Sequence, residues 1–447
     1  MTIQRTLQKE LIGYIERKEA HSNTLLLSGA RQVGKSTLVD YVTKDHPTVK
    51  VNLFESTTFA CQIDSTETFE EFERLLLREL NFSPSKGTLL VIDEAQEARR
   101  LGRWIGFFKE KWADQKVIVL GSILSNLFGE GVSYPVGRVE ELVLRPFSFA
   151  EFLTAIGKSG LLRILESSSL EKPLVEADRI SFIKPYLSYL RCGGMPEVVV
   201  RFSEGTENIY PIIDRLLSHY ATDIERYMKE PFKAMFLTAM QRIADVTSHP
   251  IKQSQIISTD SPSYRKLPAL LEVMEKWNLV HKISARTKHP ESSSGLASKR
   301  YLFDVGFTNL LINRGLPIDW TDREGLGNLI FPKLQENFIC NEIVSAFGAE
   351  SPSLLYYRET RNSKEIDLLV RFEKGILPIE VKSTSKISRN ALLPMVSYLE
   401  QSGQKAGMLV YNGEMRKINI RGKNIYAVPP FMIGYLFFSR QAHNIFI

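Results

Sequence analysis

Residues 1–130 predict an α/β fold built on a parallel sheet, and three observations carry that prediction. Short apolar runs recur at Leu25-Leu26-Leu27, Val49-Lys50-Val51-Asn52-Leu53, Leu89-Leu90-Val91-Ile92 and Val117-Ile118-Val119-Leu120. Helical patterns, as at 68–80 and 101–112, lie between them. Three of the runs lead into Ser28-Gly29, Asp93-Glu94 and Gly121-Ser122. Strands buried on both faces and separated by helices form a parallel sheet in a layered fold.

The chain has 447 residues, enough for about three domains at roughly 150 residues each. Its 43% hydrophobic and 24% charged residues exclude wholesale disorder. A net charge of +6 permits a nucleic-acid partner without arguing for one. Cys61, Cys192 and Cys340 are odd in number and far apart, which supports neither a disulfide framework nor a zinc site and points to a reducing cytoplasm. The first ten residues carry charges where a signal peptide needs its apolar region. No window reaches the ~18 apolar residues of a membrane span, so a soluble cytoplasmic protein is expected.

Gly29-Ala30-Arg31-Gln32-Val33-Gly34-Lys35-Ser36 matches G-x-x-x-x-G-K-[ST] between a strand and a helical run that continues through Thr37. The glycines let the backbone N–H groups turn toward phosphate oxygens, and the start of the helix adds partial positive charge. Lys35 would reach the β- and γ-phosphates and Ser36 would offer its hydroxyl to Mg²⁺. Asp93 and Glu94 end a buried strand, where carboxylates are costly unless they meet a cation or water. Asp93 would hold the magnesium shell, and Glu94 would orient or deprotonate the attacking water. ATP is the expected cofactor, with Mg²⁺.

The next strand ends at Gly121-Ser122. Ser122 is the first candidate for sensing the γ-phosphate and Asn126 the second; a serine capping the next helix is the other reading. Arg138, after Gly137, and Arg145 are candidates for a charge that reaches a neighbouring subunit's nucleotide, although an arginine after a glycine is also ordinary loop chemistry.

These segments together resemble a widespread prokaryotic family of AAA-plus ATPases. The resemblance continues through Gly137-Arg138, Leu144-Arg145-Pro146-Phe147-Ser148-Phe149, the Gly193-Gly194-Met195-Pro196 element and Tyr220-Ala221-Thr222-Asp223-Ile224, in the same order along nearly the whole chain. It implies an ATPase followed by a winged helix and a C-terminal domain similar to restriction endonucleases.

The pattern of the remaining chain agrees with that order. Residues 149–227 read as helical. Leu267, Leu270, Leu271, Met274 and Trp277 make one helical face, followed by two strands around a Ser/Gly/His/Lys-rich loop, the outline of a winged helix. Arg265, Lys266, Arg286, Lys288, Lys299 and Arg300 cluster there and could meet DNA phosphates, or be a solvated or packing surface. Farther on, 366–372 and 376–383 flank the hairpin connection Glu373-Lys374-Gly375. Period-2 geometry sends Glu380 and Lys382 to one face, and pairing across the hairpin brings Asp367 beside Glu380. Two carboxylates and a lysine on one face could hold a metal and activate water, or be a solvated pair on an exposed strand. Asp367, Glu380 and Lys382 also match the PD-(D/E)xK nuclease pattern, with Glu336 as its helical acid and Ile366 in place of the usual proline.

The expected fold class is thus α/β: a P-loop parallel-sheet ATPase core over 1–150, a helical lid over 151–230, a winged helix over 231–318 and a restriction-endonuclease-like α/β domain over 319–447. The expected partners are ATP, DNA, a second copy of the chain and a protein partner, but no membrane. Cleavage of phosphodiesters by the C-terminal domain and a switch that binds without cutting are the two functional readings.

Overall fold

Alternating apolar strands and helices produce a five-stranded, fully parallel sheet near the N-terminus, in the order β2–β3–β4–β1–β5. The computed structural model describes residues 3–18, 22–84, 87–112, 114–128, 132–228, 231–287, 296–313, 327–348, 353–358 and 365–446. Its Cα positions divide into two units, Met1–Arg145 with Gly348–Glu350, and Pro146–Phe347 with Ser351–Ile447. The first sequence-drawn boundary, at 150, falls close to that division, whereas those at 230 and 318 fall inside the second unit.

The first unit runs α1 (Gln8–Glu16), β1 (Thr24–Ser28), α2 (Lys35–Thr43), β2 (Thr48–Asn52), α3 (Thr57–Ser65), α4 (Phe69–Leu80), β3 (Leu89–Asp93), α5 (Leu101–Lys111), β4 (Lys116–Leu120) and β5 (Val139–Val143). Central strands β3 and β4 are buried almost throughout, as their uninterrupted apolar sequence requires. α4 starts at a capping box in which Thr68 accepts from the Glu71 amide and Glu71 reaches back. Its buried face meets α5 through aromatic rings, with Phe72 of α4 stacked on Phe108 of α5 at 6.0 Å. The order of strands matters most for function: β4 lies between β1 and β3, so the end of β4 falls between the loop after β1 and the acids after β3.

The second unit opens with helices α6 (Phe149–Ala155), α7 (Ser159–Glu166), α8 (Glu176–Cys192), α9 (Pro196–Ser203), α10 (Tyr210–Met228) and α11 (Lys233–Asp245). There follow β6 (Pro250–Ile251), α12 (Gln253–Ile256), α13 (Leu267–Lys276), β7 (Val280–Arg286), β8 (Ser298–Leu302), α14 (Val305–Asn313) and α15 (Gly327–Ala346). The remainder is β9 (Leu354–Arg358), β10 (Glu365–Phe372), β11 (Gly375–Lys382), α16 (Arg389–Ser402), β12 (Ala406–Tyr411), β13 (Arg416–Ile420), β14 (Lys423–Val428) and α17 (Ile433–Phe438).

One mixed sheet of nine strands runs through this unit in the order β13–β14–β12–β11–β10–β9–β7–β8–β6. The hairpin β7–β8 therefore belongs to the same sheet as the hairpin β10–β11, joined to it by parallel pairing of Ser284–Arg286 with Leu355–Tyr357. Sequence patterning placed these hairpins in separate domains because strand pairing between distant segments leaves no local signal.

Two motifs quoted from the sequence have packing explanations. A Cβ on Gly193 would lie 2.1 Å from Asp304 Oδ1, and one on Gly194 would lie 2.1 Å from the Phe147 carbonyl. Asp304 accepts hydrogen bonds from the Gly194 and Gly306 amides at 2.6 and 2.8 Å, and burial pushes its carboxyl up to about 6. Ser148 and Glu151 cap α6, and the buried Glu342 accepts from the Phe149 amide at 2.8 Å. Among the described residues, no helix is long and apolar enough to cross a membrane.

Candidate functional site

The loop after β1 has the backbone its sequence demands. Gly29 has φ of 143°, and a Cβ there would approach the Leu144 carbonyl oxygen to 2.1 Å. Gly34 has φ of 93° and immediately precedes α2, so both glycines occupy conformations that L side chains resist. Gln32 is exposed with φ of 63°, Ala30 and Val33 are buried, and Arg31 is half-buried. Lys35, Ser36 and Thr37 form the first turn of α2, buried, half-buried and exposed respectively.

Lys35 donates from Nζ to the carbonyls of Gly29 at 2.9 Å and Ala30 at 3.0 Å. The Ser122 hydroxyl is 3.4 Å away, brought there by the position of β4. Burial lowers the Lys35 ammonium to about 8, against the pull of Glu94 and Asp93. Asn126 lies farther along, on the helical turn Leu124–Phe128.

Asp93 is the buried last residue of β3, and its Oδ1 accepts from the Glu94 amide at 2.8 Å. Glu94 has φ of 50°, outside the usual range for a non-glycine residue. Gln96 holds it there, donating from Nε2 to Glu94 Oε2 at 2.5 Å. The Gln96 Oε1 is buried without a hydrogen-bond partner, and a Cβ on Gly121 would come within 2.5 Å of it.

Sequence reasoning missed two residues here. Gln96 is one; its place two positions after Glu94 was the available signal. Arg5 is the other: its buried guanidinium donates to the Val33 carbonyl at 2.9 Å and the Arg145 carbonyl at 2.5 Å. It ties the phosphate loop to the segment after β5, and nothing in the local sequence marks it.

The two finger candidates are placed differently. Arg145 is buried, so it does not present its charge at a surface as expected. Arg138 sits before β5, its carbonyl accepting from the Thr24 amide at the start of β1, and so lies at the end of the sheet away from the phosphate loop. Its guanidinium donates to the Gly106 carbonyl at 3.0 Å and pairs with Glu110.

The second cluster is in the C-terminal sheet. Pairing of Leu368 with Ile379 sets Asp367 next to Glu380, the juxtaposition the hairpin predicts. Asp367 Oδ2 accepts from the Val381 amide at 2.8 Å, and Lys382 Nζ meets Glu380 Oε1 at 2.5 Å. Glu336 projects from α15 into the same cluster, where Tyr301 donates to its Oε1. Burial, with the charge of Asp367, pushes Glu380 up to about 8; burial likewise raises Glu336. The Glu380 Oε2 is buried and without a hydrogen-bond partner.

A further member of this cluster is one the sequence left open between a DNA contact and a solvated or packing surface. Lys299 takes the packing alternative: it is fully buried, with Nζ 2.6 Å from Glu365, 3.1 Å from Glu336 and 3.7 Å from Asp367. Burial alone would lower its ammonium, but Glu336, Asp367 and Glu365 together hold it above the usual range. Arg300 is also buried and pairs with Glu275 at 3.4 Å. Of the other basic residues, Arg265 and Lys266 are exposed before α13, Arg286 is half-buried on β7, and Lys288 lies outside the described residues.

The acids as they stand do not fit a metal. Glu380 Oε1, Asp367 Oδ2 and Glu336 Oε1 each have a protein partner. Among the described residues, no three His, Cys, Asp or Glu side chains converge as a ligand set. Near the phosphate loop, by contrast, the Ser36 hydroxyl and the Asp93 carboxylate are hard oxygen donors of the kind magnesium takes alongside water and phosphate.

Residues 21–153 match the family model described as an AAA domain. Residues 183–317 and 332–430 match two domains of unknown function, DUF8612 and DUF4143. No curated protein matches the chain. Among solved structures, a Walker-type ATPase of Pyrococcus abyssi is 16% identical with a TM-score of 0.41, covering 69% of this chain and 96% of that one. The Orc1 protein of Aeropyrum pernix, solved in complex with DNA, is 14% identical with a TM-score of 0.33, covering 70% and 93%. Cdc6p from Pyrobaculum aerophilum is 14% identical with a TM-score of 0.27, covering 69% and 93%. The N-terminal unit of this chain is an AAA-type P-loop domain.

Proposed function

We propose that the protein binds and hydrolyses ATP at the loop between β1 and α2, and that the nucleotide state governs a DNA-directed second unit. One observation carries the first half: Lys35, Ser122, Asp93 and Glu94 converge from three adjacent parallel strands on the end of the sheet where the phosphate loop lies. Backbone amides of residues 29–34 and the Lys35 ammonium would bind the phosphates, while Ser36 and Asp93 would hold magnesium, which neutralises the charge developing on the phosphate oxygens. Glu94, oriented by Gln96, takes the proton of the attacking water, and Ser122 contacts the γ-phosphate. Arg138 is the residue assigned to a neighbouring copy's nucleotide.

For the second unit, the order β6–α12–α13–β7–β8, with antiparallel pairing of β8 to both β6 and β7, supports a winged helix. The exposed Arg265 and Lys266 before α13 then supply phosphate contacts. A second reading, a PD-(D/E)xK phosphodiesterase, is supported by the placement of Asp367 beside Glu380 and Lys382, with Glu336 facing them. No step is assigned through a metal there, because the acids are engaged by protein groups.

The decisive experiment follows ATP turnover and DNA binding together. Glu94→Gln is expected to bind ATP while kcat falls on the order of 10²–10⁴-fold, and its ATP-bound form is expected to differ from nucleotide-free protein in DNA affinity. Full turnover by Glu94→Gln would remove it as the base. Identical DNA affinity in both states would break the coupling.

A further inference from the structure

The C-terminal carboxylates already hold a cation, and that cation is a side chain. Lys299 reaches them from β8, with its side chain 1% exposed and Nζ within 4 Å of Glu336, Glu365 and Asp367. Tyr301, on the same strand, donates to Glu336 and completes the contact between β8 and α15. Lys382 pairs with Glu380, and Arg358 stands 3.8 Å from Glu365. Three cations thus face four carboxylates, and Glu380 Oε2 is buried without a hydrogen-bond partner. An ammonium and a divalent cation compete for the same hard oxygens, and their like charges oppose sharing a buried site.

We infer that Lys299 is a built-in counter-ion that occupies the place of a divalent cation among Glu336, Asp367 and Glu365, so that these acids take up metal only when the lysine charge is withdrawn. The inference rests on the phosphodiesterase reading and names its regulation.

The test uses the full chain without nucleotide and measures thermal unfolding with and without millimolar MnCl₂. Wild type is expected to show no manganese-dependent shift. Lys299→Gln is expected to unfold at lower temperature without metal and to regain about 3 °C or more with it, with an affinity for Mn²⁺ on the order of 10-fold or more above wild type. Adding Asp367→Asn to Lys299→Gln is expected to abolish the gain. Lys299→Met, which also removes the charge but suits a buried site, replaces Lys299→Gln should the latter not fold. Equal Asp367-dependent stabilisation of wild type and Lys299→Gln would overturn the counter-ion assignment and leave the phosphodiesterase reading standing. Manganese without effect on any variant would overturn both.

Discussion

Two buried lysines, one in each unit, show how the same residue serves opposite ends. Lys35 has two backbone carbonyls and a hydroxyl as partners, and burial lowers its ammonium to about 8. Lys299 has three carboxylates, which outweigh burial and raise it. A cation whose hydrogen-bond partners among the described residues are neutral is poised for an anion supplied from outside. A cation surrounded by acids is already satisfied. Burial is common to both, so the charges of the neighbours separate a ligand-binding lysine from a structural one.

The largest expected effect breaks the pair apart. Lys299→Met should destabilise the protein by about 3–5 kcal/mol, because it leaves carboxylates buried without their counter-ion; urea unfolding without nucleotide reads this directly. Lys35→Met should leave that unfolding curve unchanged or shift it to higher urea, since the lysine is held buried against its own desolvation. The same variant should abolish ATP binding. A large loss of stability in Lys35→Met would make the two lysines alike and erase the distinction.

A smaller effect concerns acids without a cation. Glu342 is buried against the Phe149 amide and raised from 4.5 to about 8 by burial. A carboxyl raised in the folded state binds its proton more tightly there than in the unfolded chain, so its stabilising contribution is present in acid and is lost as pH rises from about 4.5 to about 8. Glu342→Gln should flatten stability against pH across that window. An unchanged slope would show that Glu342 does not titrate in it.

The smallest effect belongs to Arg138, a half-exposed residue paired with Glu110. Arg138→Ala should change stability by no more than about 1 kcal/mol, as for other exposed pairs. It should also remove the part of ATP turnover that rises with protein concentration while leaving ATP binding intact. Turnover per chain that is independent of concentration in wild type would remove Arg138 from the proposed site.

The legibility of the two units differs for a physical reason. Around the nucleotide site, function is written in short stretches: glycines whose backbone angles exclude side chains, a lysine at a helix start, and acids at a strand end. Each signal is local, so strand β3 and the turn into α2 could be placed from residues alone. The hairpin β10–β11 was legible on the same terms, because its connection spans Glu373 and Lys374. Lys299 was not: as a basic residue near a Lys-rich loop it read like its exposed neighbours Arg265 and Lys266. Arg5 was equally silent, since its partners Val33 and Arg145 stand 28 and 140 residues away.

By itself, the sequence determined the alternation of buried strands and helices, the phosphate loop and its acids, and the register that sets Asp367 beside Glu380. Those features follow from periodicity, backbone geometry and the cost of polar groups at buried strand ends, all properties of neighbouring residues. Tertiary structure alone decided that β7 pairs with β9, uniting two expected domains in one sheet, and that Lys299 lies among acids rather than in solvent. The order in which distant strands pair depends on the packing of whole faces, and an ion pair exists only where that packing brings opposite charges within about 4 Å.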